Sequence, residues 1–162
     1  MPKSFEPVFD ERARMLILGT MPSVRSREEG FYYAHPRNRF WRVVAECFGE
    51  SVPQSVEEKK RLLFAHGIAL WDVLAECEIF RSDDASIRKP VCHDIAGFLH
   101  GKSIRKILCN GGKAYQLLKR FVEVPIPAAA MPSTSPANAA WGVERLVRVW
   151  GTELNEGENC HE

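Results

Sequence analysis

Four short, nearly uninterrupted apolar runs decide what this chain can become: Met15–Leu18, Ile68–Val73, Lys106–Cys109 and Val124–Ala130. Runs of that length without polar alternation are expected for strands covered on both faces. The last contains Pro125 and Pro127 and is the weakest strand signal of the four. Helical stripes separate them. Trp41, Val44 and Phe48 share one spacing, Ala114, Leu117, Leu118 and Phe121 another, and Val143, Leu146, Val147, Trp150 and Leu154 a third. Residues 56–64 read as a charged surface helix. Strand and helix in alternation predict a three-layer α/β/α sandwich around a short, mostly parallel central sheet of about four strands.

With 162 residues, 45% hydrophobic and 27% charged, the chain reads as one soluble globular domain. Residues 151–162, GTELNEGENCHE, are expected to be a fraying polar tail. No apolar run approaches the ~20 residues of a membrane span, and the N-terminal segment lacks a signal-peptide core. A cytoplasmic monomer away from membranes is expected. Five cysteines without paired spacing (Cys47, Cys77, Cys92, Cys109, Cys160) predict neither disulfides nor a metal cluster. Neither metal nor cofactor is expected.

In a sheet of this kind ligands sit at the C-terminal strand ends, and three segments fall there. They are 19–41, 110–113 and 131–138. The first, GTMPSVRSREEGFYYAHPRNRFW, is long for a connection and rich in aromatics. The net charge is only +1, so a polyanion must be met locally. Arg25, Arg27, Arg37, Arg39 and Arg42 form either such a patch or a solvated face partly neutralised by Glu28 and Glu29.

Within that segment Pro36 suits a first helical residue, which places Asn38 in the first helical turn. There its amide either holds a water or a base edge, or simply braces the helix start. Of Tyr32 and Tyr33, one is expected to stack on a planar ligand and the other to pack the loop. Asn110, before Gly111 and Gly112, either reads the O6 acceptor and N1–H donor of a purine or belongs to an ordinary turn. Lys113 meets phosphate or faces solvent. The 131–138 loop, MPSTSPAN, offers hydroxyls and backbone N–H groups to phosphates, while Ser135 or Asn138 can equally cap the last helix. Asp72, Asp83 and Asp84 are weak acid–base candidates, and His35 alone among the histidines lies near the proposed cleft.

These segments resemble the uracil-DNA glycosylase superfamily. Its mismatch-specific uracil/thymine branch carries G-x-N-P-G, an aromatic pair and A-H-P-x-N-R-F-W. The chain has GTMPS, FYY and AHPRNRFW, followed by MPSTSPAN before the last helix. Met21 stands where that branch places its water-positioning Asn. The deoxyinosine (hypoxanthine)-DNA glycosylase branch also lacks it, and this chain resembles that branch throughout.

The resemblance implies Asn38 as the catalytic residue and Tyr33 as the base-stacking aromatic. Gly19, Met21, Pro22 and Asn110 are implied around the base. Ser133, Thr134, Ser135, Pro136 and Ala137, with Arg37 and Lys113, are the expected DNA contacts. The expected reaction is metal-free, monofunctional removal of hypoxanthine from DNA after base flipping, with Asn38 holding the water by its carbonyl. Backbone N–H groups near residues 19–23 would take up charge on the leaving base. Uracil as the main substrate, or a non-catalytic DNA- or nucleotide-binding module, are the alternatives. Asp83, Asp84, Ser86 and Arg88 receive no role.

Overall fold

The computed structural model describes residues 5–21, 24–76 and 91–159; Pro22, Asp83, Asp84, Ser86 and Arg88 lie outside them. Along the chain run β1 (Met15–Gly19), α1 (Val24–Glu29), α2 (Phe40–Cys47), α3 (Val56–Ala65), β2 (Ile68–Asp72), β3 (Leu74–Glu76), β4 (Val91–Cys92), α4 (Ile95–Leu99), β5 (Lys106–Asn110), α5 (Gly112–Phe121), β6 (Ala128–Met131) and α6 (Val143–Asn159). The four expected strands are β1, β2, β5 and β6. They form one sheet in the order β2-β1-β5-β6, every pairing parallel. A small antiparallel pair, β3 with β4, is an addition that the sequence pattern did not mark.

Strand pleating sends alternate side chains to opposite faces, and both faces are covered. Met15 and Ile17 of β1, with Ile68 and Leu70 of β2, face a core built by α2, α3 and α6. Leu16 and Leu18, with Ala69 and Ile107, face a second core under α4 and α5. The three-layer sandwich follows directly. The outer edge of β2 is blunted where Val8 exchanges two backbone hydrogen bonds with Leu70, each 2.9 Å. The last strand begins only at Ala128, because Pro125 and Pro127 have no N–H for the ladder; Pro127 still accepts from the Ile107 N–H at 2.9 Å.

The expected frayed tail is overturned as far as Asn159. Helix α6 runs through Gly151 without a break. Leu146, Trp150 and Leu154 repeat every four residues, and all three are buried against α2 and the sheet. Burying side chains of that size is worth roughly 1.5–3 kcal/mol each, which exceeds the ~1 kcal/mol that one helical glycine costs.

That comparison gives a test. A Cβ at Gly151 would lie 3.6 Å from Cys47 Sγ, an ordinary contact, with no positive φ to relieve. Gly151→Ala is expected to stabilise the protein by about 0.5–1 kcal/mol, read as a higher urea midpoint at unchanged slope.

Candidate active site

Three neighbouring parallel strands end at one level and make the floor of a cleft. Gly19 of β1 is in register with Asp72 of β2, and Asn110 closes β5 on the other side. With no side chain, Gly19 lets the Asp72 carboxyl and the Tyr33 hydroxyl pack close against the strand end. A Cβ there would lie 2.7 Å from Asp72 Oδ1 and 3.1 Å from the Tyr33 hydroxyl. The strand ends border a cavity of about 210 Å³ whose walls include Thr20, Met21, Ser26, Tyr33, Asn38 and Thr134. That is small beside the roughly 300–1,000 Å³ of pockets for drug-sized ligands, and is on the scale of one planar base.

Asn38 stands at the cavity wall, though not where the sequence placed it. Residues 35–37 form a turn, and α2 starts at Phe40 with Arg39 as its N-cap, so Asn38 precedes the helix. Its Oδ1 accepts from the Phe40 N–H at 3.0 Å and from the Thr134 hydroxyl at 2.8 Å. Because Phe40 N–H can only donate, the amide orientation is fixed. Both carbonyl lone pairs are taken, and the NH2 group makes no hydrogen bond among the described residues. A water at Asn38 therefore accepts from Nδ2–H; the expected hold through the carbonyl is not available.

Thr134 continues the row. Its N–H donates to Asn110 Oδ1 and its hydroxyl accepts from Asn110 Nδ2, both at 3.0 Å. Thr134 is 1% exposed, so it is a buried bridge between two amides rather than the surface DNA contact expected of it. Asn110 is thereby held at both amide atoms.

Both tyrosines border the cavity, and they differ in how far they are built into the core. Tyr32 is core: it is 2% exposed and its hydroxyl donates to Glu6 O at 2.8 Å. Tyr33 faces the cavity and stacks on Phe40 with ring centroids 4.1 Å apart. Phe40 thus braces one ring face. The Tyr33 backbone has φ +52°, a left-handed conformation that costs a bulky residue about 1–3 kcal/mol. The turn is held from both sides, by Ser26 Oγ accepting from the Ala34 N–H and by Trp41 Nε1 donating to Tyr32 O. Burial first, then the charge of Asp72, pushes the Tyr33 phenol well above its usual range, so it stays neutral.

Asp72 is the residue that the sequence undervalued. It is 3% exposed, and its Oδ2 and the Tyr33 hydroxyl are buried without a hydrogen-bond partner. Burial pushes its carboxyl up to about 7.

The loop over the cleft is fixed by a residue read only as one of five basic charges. Arg39 donates from Nη2 to the Ser135 and Asn138 carbonyls at 2.8 and 3.1 Å, from Nε to Thr134 O at 3.4 Å, and from Nη1 to Trp141 O. Arg39 is a clamp, not a free cation for DNA. The loop hydroxyls are also stitched inward: Ser133 Oγ accepts from Ser135 N–H, and Ser135 Oγ from Ala137 N–H, both at 3.1 Å. Neither Ser135 nor Asn138 caps α6, which begins five residues beyond Asn138, at Val143.

Of the other expected DNA contacts, Pro136 and Ala137 are exposed on this loop and Arg37 on the turn before Asn38. Lys113 is exposed on the first turn of α5 and does not line the cavity. A second, open cavity of about 360 Å³ shares Tyr33 and Asn38 and is edged by His35, Arg37, Arg42 and Lys59. Lys59, unmarked in the sequence, packs 5.4 Å from the Trp41 ring, and burial lowers its pKa. No group of three or more His, Cys, Asp or Glu side chains among the described residues is arranged to hold a metal ion.

The parallel α/β/α sheet thus carries two amides and a braced aromatic ring around one cavity at its strand ends. The family profile of the Uracil DNA glycosylase superfamily matches residues 6–151, and the chain belongs to that superfamily. It is 32% identical over 145 residues to a hypoxanthine DNA glycosylase of Methanosarcina acetivorans, covering 88% of this chain and 92% of that one. A hypoxanthine DNA glycosylase of Methanosarcina barkeri is 32% identical over 115 residues, 69% and 72% of the two chains. The solution structure of a uracil DNA glycosylase-like protein of M. acetivorans superposes with a TM-score of 0.81 at 31% identity, over 96% of this chain and 98% of that one.

The clamp is directly testable. A lysine ammonium is a point donor and cannot span the carbonyls that a planar guanidinium reaches. Arg39→Lys is expected to cost about 2 kcal/mol or more in urea unfolding and to speed amide exchange across 133–141. Unchanged exchange in that loop would show that Arg39 does not hold it.

Proposed function

We propose that this chain removes hypoxanthine from DNA by hydrolysing the N-glycosidic bond of a flipped deoxyinosine. The observation that carries the reading is the amide of Asn38. Its carbonyl is pinned by Phe40 and Thr134 and its NH2 is left facing the base cavity. Met21, in the same cavity, offers only a thioether, which orients no nucleophilic water. The relatives named above support hypoxanthine as the base.

Flipping costs a few kcal/mol in unstacking, least for a poorly paired base. The Tyr33 face opposite Phe40 takes the extruded ring, a contact worth about 1–3 kcal/mol. The C1′–N9 bond then breaks with its electron pair passing to the purine. A water accepting from Asn38 Nδ2–H keeps its second lone pair for C1′. Its oxygen forms the new C1′–O bond and its surplus proton passes to solvent, while the purine anion is protonated from solvent. An abasic site remains. No step needs a lysine nucleophile, a metal or a cofactor. Arg37, Pro136 and Ala137 on the exposed rim, with the hydroxyls of Ser133 and Ser135, contact the DNA backbone. The protein acts as a monomer.

The test separates the two ends of one amide. Asn38→Asp keeps an oxygen for Phe40 and Thr134 but removes the NH2. Single-turnover release of hypoxanthine from a duplex, read as alkali-labile sites, is expected to fall about 10²–10³-fold in both Asn38→Asp and Asn38→Ala. Full activity in Asn38→Asp would remove the NH2 from the mechanism. A uracil-containing duplex run in parallel ranks the two bases.

A further inference from the structure

The reaction above leaves one question open, namely which group reads the edge of the base. Asn110 is the obvious amide, and Thr134 fixes its orientation by one hydrogen bond at each polar atom, leaving one N–H and one lone pair. Asp72 is the reverse case. It sits at the same strand-end level and lines the same cavity, yet its buried Oδ2 has no hydrogen-bond partner among the described residues. Gly19 carries no Cβ, which lets the Asp72 carboxyl pack close against the end of β1, where it forms part of the cavity lining. A buried polar group without a partner is costly, and one kept in a cavity lining is explained by a ligand that satisfies it.

Resting on the hypoxanthine reading, we propose that Asp72 is a base-contacting catalytic residue that works as a neutral carboxylic acid. Its O–H donates to O6 of the flipped hypoxanthine and its C=O accepts from N1–H. The pairing is complementary only in the protonated form, since a carboxylate would set negative charge against the O6 lone pairs. The donor also meets the oxygen onto which the departing purine spreads its negative charge, so the contact strengthens as the bond breaks. No proton is transferred from Asp72 in this step.

The surroundings favour the neutral acid. The titratable groups facing Asp72 are the Tyr32 and Tyr33 phenols, both pushed upward and neutral, with Glu6 acting on Tyr32 from the N-terminal segment and Cys109 on Tyr33 from β5. Gly19, Asn110 and Thr134 bring no charge. Among the described residues no cation pairs with the carboxyl. Burial alone accounts for its raised pKa of about 7.

The experiment compares the full-length protein with Asp72→Asn and Asp72→Leu on a hypoxanthine duplex under single turnover, from about pH 5.5 to about pH 9. The parent rate is expected to fall as pH rises through the Asp72 ionisation. Asp72→Asn, a neutral donor and acceptor, is expected within about tenfold of the parent at low pH and without that alkaline fall. Asp72→Leu is expected to lose about 10²–10³-fold while unfolding at an equal or higher urea concentration. Parent-like activity in Asp72→Leu would overturn the inference and leave the hypoxanthine reading intact. So would a parent rate that rises with pH together with an inactive Asp72→Asn, which is the signature of an ionised base. A parent that releases no hypoxanthine at any pH overturns the functional reading itself, and with it this one.

Discussion

The guanidinium of Arg39 joins two parts of the chain that lie about a hundred residues apart. The arrangement of the cavity wall depends on that junction. Arg39 is the N-cap of α2, where a cation meets the positive end of the helix dipole, so the helix gains nothing from its charge. The gain lies across the cleft, where the carbonyls of Thr134, Ser135, Asn138 and Trp141 converge on one planar group. A charged donor to a carbonyl contributes about 1.5–3 kcal/mol, and a fan of them fixes a loop with no regular structure of its own. Asn38, the residue before Arg39, then meets Thr134 at 2.8 Å as a geometric consequence.

The fold was legible because its signals are local. A strand buried on both faces is written in consecutive residues, and β1 at 0–5% exposure matches the apolar run that announced it. The AHPRNRFW segment likewise carries Asn38 and the aromatic bracing of Tyr33 in one short stretch. What escaped was decided by distant partners. An arginine that clamps a loop and one that faces solvent look the same in a sequence. Thr134 in a hydroxyl-rich loop gives no sign that it alone is buried. The value of Asp72 rests on what does not surround it, which no pattern in β2 records. The persistence of α6 through Gly151 was hidden because a polar, glycine-containing stretch reads as an end unless the wall that buries Leu154 is known.

Strain and unmet polarity are concentrated in one place. Tyr33 holds a left-handed backbone, and its hydroxyl and Asp72 Oδ2 go without partners among the described residues, while the two cores around them are apolar. A fold tolerates a few such violations when the neighbouring contacts over-determine the geometry. Here the Phe40 ring, the Ser26 hydroxyl and the Trp41 indole do so.

The row Asn110, Thr134, Asn38 and Phe40 has a direction as well as a shape. Two backbone N–H groups, those of Phe40 and Thr134, can only donate, and they settle the orientation of both amides and of the hydroxyl between them. With every hydrogen assigned, the row has no second arrangement to exchange with. It is a one-way lattice of dipoles that holds its members still and conducts nothing. A row so fixed can present the Asn38 amide in one orientation, but it cannot relay a proton through the protein.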